Sequence, residues 1–228
     1  MLALADTGPQ DCVVDLGSGD GRIVIAAARD HGARGLGIEL DAKLVRQARD
    51  NAQRAGVAAL ARFEAGDALH ADLSQASVVT IYLLPFLLDK LQPRLLDQLR
   101  PGARVVTHAF AFKGWRPDRA EIVRLSARHE GQGDESRVFV WVVPAQVRGS
   151  WEAPGGWRLR VQQNFQEIEV EAAQDGKPVA VSAARLEGRA LSLLGPDFSF
   201  RGRVEGSRLA GELQRGGARA PLAFARAR

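Results

Sequence analysis

The 228-residue chain has one cysteine, one methionine and one tyrosine, and each scarcity narrows its chemistry. Cys12 has no partner for an internal disulfide, and it stands where a buried strand should begin, so it reads as a core thiol rather than a nucleophile. Of the four histidines, His31, His70 and His129 have no spacing with one another or with Cys12 that suits zinc, so no metal site is expected. No apolar run approaches the roughly 18 residues of a membrane span, and residues 1–12 lack the basic start and long apolar core of a signal peptide. The expectation is a cytoplasmic protein without a membrane span. Low-complexity segments are missing too, and the likeness of "RLEGRALSL" to "RVEGSRLAGEL" is attributed to shared hairpin chemistry.

What is present is ordinary in bulk and uneven in detail. Hydrophobic residues make up 46% and charged residues 25%, and the length allows one large domain or two small ones. Basic and acidic residues balance at 18 each over 1–144, leaving 13 basic and 9 acidic residues in 145–228. Seven arginines between 201 and 228 face only Glu205 and Glu212. Without interleaved aromatics this reads as a solvated arginine-rich edge, and nucleic acid is not expected as a partner.

From residue 12 to about 110, short apolar runs alternate with segments of helical period, the grammar of a parallel sheet covered by helices. Strands are predicted over Cys12–Leu16, Arg34–Glu39, Arg62–Ala65, Val78–Leu83 and Arg104–Ala109. Helices are predicted over Gly21–His31, Asp41–Ala55 and Phe86–Leu99, with Asp41 as an N-cap and Gly56 as a stop. After "GWRPDR" come "AEIVRLSARHE" and "SRVFVWVVP", separated by "GQGDE", which predict a hairpin at the sheet edge ended by Pro144. From Val147 onward short, alternating, glycine-broken runs predict strands alone. The fold expected is α/β, a Rossmann-like doubly wound, mostly parallel sheet over 1–144, followed by a small all-β antiparallel barrel or sandwich over 145–228.

The stretch "VVDLGSGDGRIVIAAA" (residues 13–28) ends a strand in three glycines and runs into a helix. Glycine lets backbone approach a ligand closely, because no Cβ intervenes. A dinucleotide turn wants G-x-G-x-x-G with a pyrophosphate at the helix start. Here the third glycine comes one residue early and Arg22 takes its place. Asp15 and Asp20 would repel a phosphate but attract a cation such as the sulfonium and methionyl amine of S-adenosylmethionine. Glu39, about 20 residues on, is placed to accept both hydroxyls of an adenosyl ribose. Asp67 after the third strand, with the Ala68 amide, is placed to take the adenine edge. The candidate cofactor set is therefore Asp15, Gly17, Ser18, Gly19, Asp20, Gly21, Glu39, Leu40, Asp67, Ala68 and Tyr82.

"VVDLGSGDGRIVIAAA", "GLGIELDAKLVRQA" and "FEAGDAL" resemble motifs I to III of class I S-adenosylmethionine-dependent methyltransferases. Together with "VTIYLLPFLLDKLQPRLLDQLRPGARVVTHAFAFKGWRPD" they are similar to bacterial relatives of the lysine methyltransferases that modify the ATP synthase c subunit and the adenine nucleotide translocase. The glycine turn also resembles that of the Dot1-type histone methyltransferase. The likeness covers roughly residues 12–120. It implies Asp15, Gly17 and Gly19 on the methionyl side, Glu39 at the ribose and Asp67 at the adenine. It further implies N-methylation with protein lysine as the favoured acceptor. Those relatives carry a segment before the first strand that helps cover the cofactor, whereas only "MLALADTGPQD" precedes it here.

Methyl transfer is an in-line displacement on an activated carbon, so the protein positions the nucleophile and takes its proton. The Asn-Pro-Pro-Tyr tetrad of many nucleic-acid amino methyltransferases is absent; "IYLLPF" stands in its place. Tyr82, near the end of the fourth strand, and His108, ending the fifth, are the candidate catalytic residues, and Trp115 is expected to close one wall of the pocket, either touching substrate or packing under the hairpin. Three alternatives stand beside the lysine reading. A small-molecule N- or O-methyltransferase is one, and a cofactor-binding adaptor whose β-rich part does the work is another. An NAD-dependent oxidoreductase is opposed by the early third glycine and the acids around the turn.

Overall fold

Branched apolar residues at the centre of the first unit form strands buried on both faces, as a parallel sheet covered by helices requires. The computed structural model describes residues 1–124 and 134–227, and the chain divides into two units, Met1–Val142 and Val143–Arg228. In the first, β1 (Cys12–Leu16), β2 (Arg34–Glu39), β3 (Ala61–Ala65), β4 (Val78–Ile81) and β5 (Arg104–His108) alternate with α1 (Arg22–His31), α2 (Ala42–Arg54) and α3 (Pro85–Gln98). Strands β6 (Arg119–Arg124) and β7 (Glu135–Val142) follow. The seven strands run in the order β3-β2-β1-β4-β5-β7-β6; the first five are parallel, and β7 is antiparallel to both β5 and β6. Order reverses between β1 and β4, and ligands of such sheets bind off the carboxyl ends of the strands at that reversal.

Local chemistry sets the helix boundaries. Asp41 accepts from the Lys43 amide at 2.7 Å to open α2, and Val45, Ala48 and Ala52 form its buried stripe. Gly32, with φ 65°, closes α1 by donating its N–H to the Ala27 carbonyl, a left-handed stop that favours glycine. Pro85 starts α3, where its missing N–H costs nothing. The predicted elements appear with shifts of at most two residues at their ends. The edge hairpin appears as β6 and β7. Its expected turn, apart from Asp134 and Glu135, lies outside the described residues, as does His129.

Residues 1–11 pack at the amino end of the sheet. Leu2 and Ala5 are buried against Val13, Val78 and Val106. Asp11, just before β1, accepts from the Gly8 amide at 2.8 Å, from Ser77 Oγ at 2.6 Å and from the Arg104 guanidinium. Ser77 and Arg104 stand at the starts of β4 and β5, so this segment covers the edge opposite to the strand ends where a ligand would lie. The hydroxyl, the Gly8 amide and the guanidinium hold the Asp11 carboxyl below the ordinary aspartate value, against the opposing effect of burial.

The second unit is built of strands alone among its described residues: β8 (Gly149–Ala153), β9 (Trp157–Asn164), β10 (Glu167–Gln174), β11 (Lys177–Val179), β12 (Ala183–Glu187), β13 (Ala190–Leu194), β14 (Phe198–Glu205), β15 (Arg208–Arg215) and β16 (Ala218–Arg226). They form one sheet, ordered β11-β10-β9-β8-β16-β15-β14-β13-β12, in which every pairing is antiparallel. It curls until β10 approaches β12, enclosing Trp151, Trp157, Phe198, Phe200 and Phe224. The expected barrel or sandwich is thus one sheet rolled on itself, which protects most of its edge.

Gln163 pins the start of this unit. Its buried amide accepts from the amides of Val147 (2.7 Å) and Arg148 (3.1 Å) and donates to the carbonyls of Ala145 (2.9 Å) and Phe165 (2.7 Å). Replacing it strands several buried backbone groups at once, each costing about 1–3 kcal/mol when left unsatisfied. We expect Gln163→Leu to lower unfolding stability by about 2–4 kcal/mol, read as a drop in denaturation midpoint, whereas the exposed Gln162→Leu should change it by less than about 0.5 kcal/mol.

Candidate cofactor and methyl-transfer site

The glycine turn leaves β1 at the reversal point. Gly17, Gly19 and Gly21 all have positive φ, of 79°, 55° and 83°. The Gly17 and Ser18 amides donate to the Ile38 carbonyl at 2.9 and 3.0 Å, and the Gly21 amide donates to the Ser18 carbonyl at 2.9 Å. From α2, Asn51 Nδ2 donates to the Asp20 carbonyl at 2.9 Å. Gly21 is packed so tightly that a Cβ would lie 2.6 Å from the Phe63 ring and 2.9 Å from Ala48. Around Gly19 the opposite holds: a Cβ there would meet nothing within 4 Å. The turn is rigid on its helix side and open at its crest, which suits a ligand lying against backbone.

Asp15, last but one in β1, is 2% exposed. Its Oδ1 accepts from Thr80 Oγ1 across the β1–β4 seam at 2.6 Å. Burial pushes its carboxyl up to about 7; the Thr80 hydrogen bond opposes that shift, and the negative charges of Glu39 and Asp20 add to it. Buried carboxylates normally have a paired cation, and among the described residues none pairs with Asp15. The other acids are engaged differently. Asp20 is clamped by Arg22, Nε to Oδ1 at 2.9 Å and Nη2 to Oδ2 at 2.8 Å, and this pairing holds its carboxyl below the ordinary value. Glu39 accepts from the Gly19 amide at 2.9 Å and the Asp41 amide at 3.0 Å. Asp67 accepts from the Leu69 amide at 2.8 Å, opening the short turn Ala68–His70, and lies 3.0 Å from His70 Nδ1. The Leu69 amide is the main cause of its lowered carboxyl.

Ser18 is buried, and its Oγ meets no hydrogen-bond partner among the described residues. An unpartnered hydroxyl, an unpaired buried acid and an open glycine crest together fit a polar, cationic ligand. Leu40, directly after β2, exposes 78% of its surface beside Glu39, leaving an apolar face for a flat ring. Tyr82 and His108 meet edge to face with ring centroids 4.3 Å apart, so the ends of β4 and β5 place them together on the same rim. Ala109, at φ 69°, and Thr107, whose hydroxyl donates to the Phe110 carbonyl, form the tight turn that follows His108.

Trp115 lies elsewhere. It is 1% exposed, stacks on Phe112 at 5.6 Å between centroids, and accepts at its carbonyl from Trp141 Nε1 at 2.9 Å. Its aromatic neighbours Phe112 and Trp141 make it part of the packing beneath β7, the second of the two placements expected for it. Sequence reasoning misses Thr80 and Asn51. Thr80 could be found as the one hydroxyl in the otherwise apolar strand "VVTI". Asn51 has no such signal, being one polar residue in a polar helix.

A parallel sheet with a glycine turn at its reversal point, an unpaired buried acid and acids at the next strand ends defines a nucleoside-cofactor methyltransferase of the α/β class. Comparison with known proteins agrees. The model of the ANTKMT methyltransferase domain matches residues 15–119. A protein-lysine N-methyltransferase of Saccharolobus islandicus is 41% identical over 126 residues, 55% of this chain and 77% of the relative. The mouse adenine nucleotide translocase lysine N-methyltransferase is 40% identical over 105 residues, 46% of this chain and only 46% of that protein. The crystal structure of an RNA methyltransferase from Salinibacter ruber with S-adenosyl-L-homocysteine is 51% identical, at a TM-score of 0.57, covering 64% of this chain and 89% of that one. The chain belongs to the family of the ANTKMT methyltransferase domain, and its cofactor is S-adenosylmethionine.

The Asp15 proton gives this assignment a pH signature. A cationic cofactor placed against Asp15 would favour the ionised carboxyl, so binding below about pH 7 would release a proton. Affinity should rise about tenfold per pH unit up to about 7, and it should fall again near pH 8 as a free α-amino group loses its charge. Calorimetry in buffers of different ionisation heat checks this; affinity independent of pH between 5 and 7 contradicts it. The stability sign is opposite. Because the folded-state value lies above the unfolded one, this contribution is fully present below about pH 4 and is lost as pH rises through about 7. Asp15→Asn should therefore raise the melting temperature of the cofactor-free protein more at pH 8 than at pH 4, while weakening cofactor binding.

Proposed function

We propose that the protein transfers a methyl group from S-adenosylmethionine to the side-chain nitrogen of lysine in a polypeptide. The observation that carries this reading is the 41% identity to an archaeal protein-lysine N-methyltransferase across 77% of that relative's length. In this reading Asp15, Ser18 and the crest of Gly17, Gly19 and Gly21 receive the methionyl end. Glu39 receives the ribose, and Leu40 and Asp67 with the Ala68 amide receive the adenine. All of these residues, with Tyr82 and His108, lie in the first unit.

When bound, S-adenosylmethionine supplies a methyl group already activated by its sulfonium, so the protein need not generate a strong electrophile. Asp15 offsets the positive charge of the methionyl amine, and Asp20 contributes little beyond shaping the turn, because Arg22 neutralises it. A lysine ammonium must lose its proton before its nitrogen lone pair can attack; with cofactor bound, the N–C bond would form as the C–S bond broke, leaving S-adenosylhomocysteine. Tyr82 and His108 form the wall along which the lysine stem approaches, and the imidazole of His108 takes the departing proton. Tyr82 is 41% exposed, Phe86 55% and Phe110 37%, which leaves the rim open to a polypeptide rather than closed over a metabolite.

The test is incubation with methyl-labelled cofactor and cell extract, followed by acid hydrolysis. Label in protein, recovered as methyl-lysine, is the expected result; label confined to small molecules would overturn the protein acceptor. His108→Asn should lower kcat by about 10²–10³-fold with cofactor affinity within about twofold, whereas Tyr82→Phe should chiefly raise the acceptor KM.

A further inference from the structure

We infer that Thr80 is a positioning residue for the cofactor: its hydroxyl holds one oxygen of the Asp15 carboxylate and leaves the other for the methionyl ammonium. The inference rests on reading Asp15 as the partner of that ammonium. All four residues of β4 are buried, and Thr80 is the one polar side chain among them, with no exposed surface. A hydroxyl at the centre of a sheet is costly unless bonded, and valine would fill the same space and suit a buried strand as well. The position therefore keeps a hydroxyl where packing alone would not call for one.

The register gives that hydroxyl its role. Asp15 and Thr80 are direct partners across β1 and β4, the seam where the strand order reverses, and the 2.6 Å separation is that of a short, direct hydrogen bond. Asp15 Oδ1 accepts this bond, and among the described residues no other hydrogen bond reaches the carboxylate. The charged groups acting on it are both anionic, Glu39 from the end of β2 and Asp20 from the glycine turn. Arg22, the cation that follows the turn, is committed to Asp20, and the ends of β4 and β5 bring Tyr82 and His108 rather than a fixed charge. Thr80 is thus the one influence among the described residues that favours the ionised carboxylate, and it fixes the rotamer through which Asp15 meets the ligand.

The experiment is calorimetric titration with S-adenosylhomocysteine across pH 5–8, comparing the unsubstituted protein with Thr80→Val, Thr80→Ser and Asp15→Asn. Thr80→Val should raise Kd about tenfold at pH 7, as loss of a hydrogen bond to a charged group implies, and it should move the midpoint of the pH dependence upward. Thr80→Ser, which keeps the hydroxyl, should restore both. A purely structural role would lower the melting temperature without moving that midpoint. Unchanged Kd and midpoint in a Thr80→Val protein that melts like the unsubstituted one would overturn the inference. If the valine protein does not fold, Thr80→Ala is compared with Thr80→Ser in the same titration, with the same two outcomes. Failure of the underlying reading looks different: Asp15→Asn would then bind as tightly as the unsubstituted protein at every pH.

Discussion

The structure turns on one unpaired acid. Asp15 sits at the seam where the sheet reverses, buried on both sides by β2 and β4 and answered, among the described residues, by a hydroxyl rather than a cation. A sheet has little reason to keep such a group for stability, since desolvating a carboxylate costs more than one hydrogen bond returns. In the function proposed, the positively charged cofactor would remove that cost. Binding sites are commonly arranged so that the group least comfortable without ligand is the one the ligand satisfies.

The surrounding charges support this division of labour. Three further acids lie at the ends of β1, β2 and β3, and each has a partner: Asp20 with Arg22, Glu39 with the amides of the glycine turn and α2, Asp67 with the Leu69 amide and His70. Glu39 also holds the crest of the turn through Gly19, so the acid proposed for the ribose braces the backbone beneath the methionyl end as well. At the opposite edge, the Asp11, Ser77 and Arg104 cluster ties the starts of β1, β4 and β5 together. One end of the sheet is closed by satisfied polar contacts. The other is left open, with an orphaned Ser18 hydroxyl and the Tyr82–His108 pair on its rim.

Much of this is legible in the residues, because local patterns decide it. Apolar alternation locates β1–β5, the edge hairpin and most of the second unit, and the early third glycine with Arg22 after it separates a sulfonium cofactor from a dinucleotide. What escapes is set by partners distant in sequence. Thr80 gains its meaning only when β4 is laid beside β1, a pairing across 65 residues. The clamp of Arg22 on Asp20 is local, two residues away, but depends on side-chain geometry that the spacing alone does not announce. Trp115 in "FKGWRPD" leaves two placements open, and Phe112 and Trp141 decide for packing under β7. Strand β10, "EIEVEAAQ", alternates as a strand should, yet its three glutamates mask the short apolar signal between them. Residues 1–11 occupy the edge away from the site, which no local pattern announces.

The central claim is that burial raises the Asp15 carboxyl far above the ordinary aspartate value, to about 7, and that a bound cationic cofactor would lower it again. Its most direct test is carbon-13 NMR titration of the Asp15 carboxyl, with and without saturating S-adenosylhomocysteine. The account predicts a midpoint near 7 in the free protein and a bound-state midpoint lower by at least about 2 units, as an adjacent cation demands. A midpoint near the ordinary aspartate value in the free protein, or one that saturating ligand leaves in place, would contradict it.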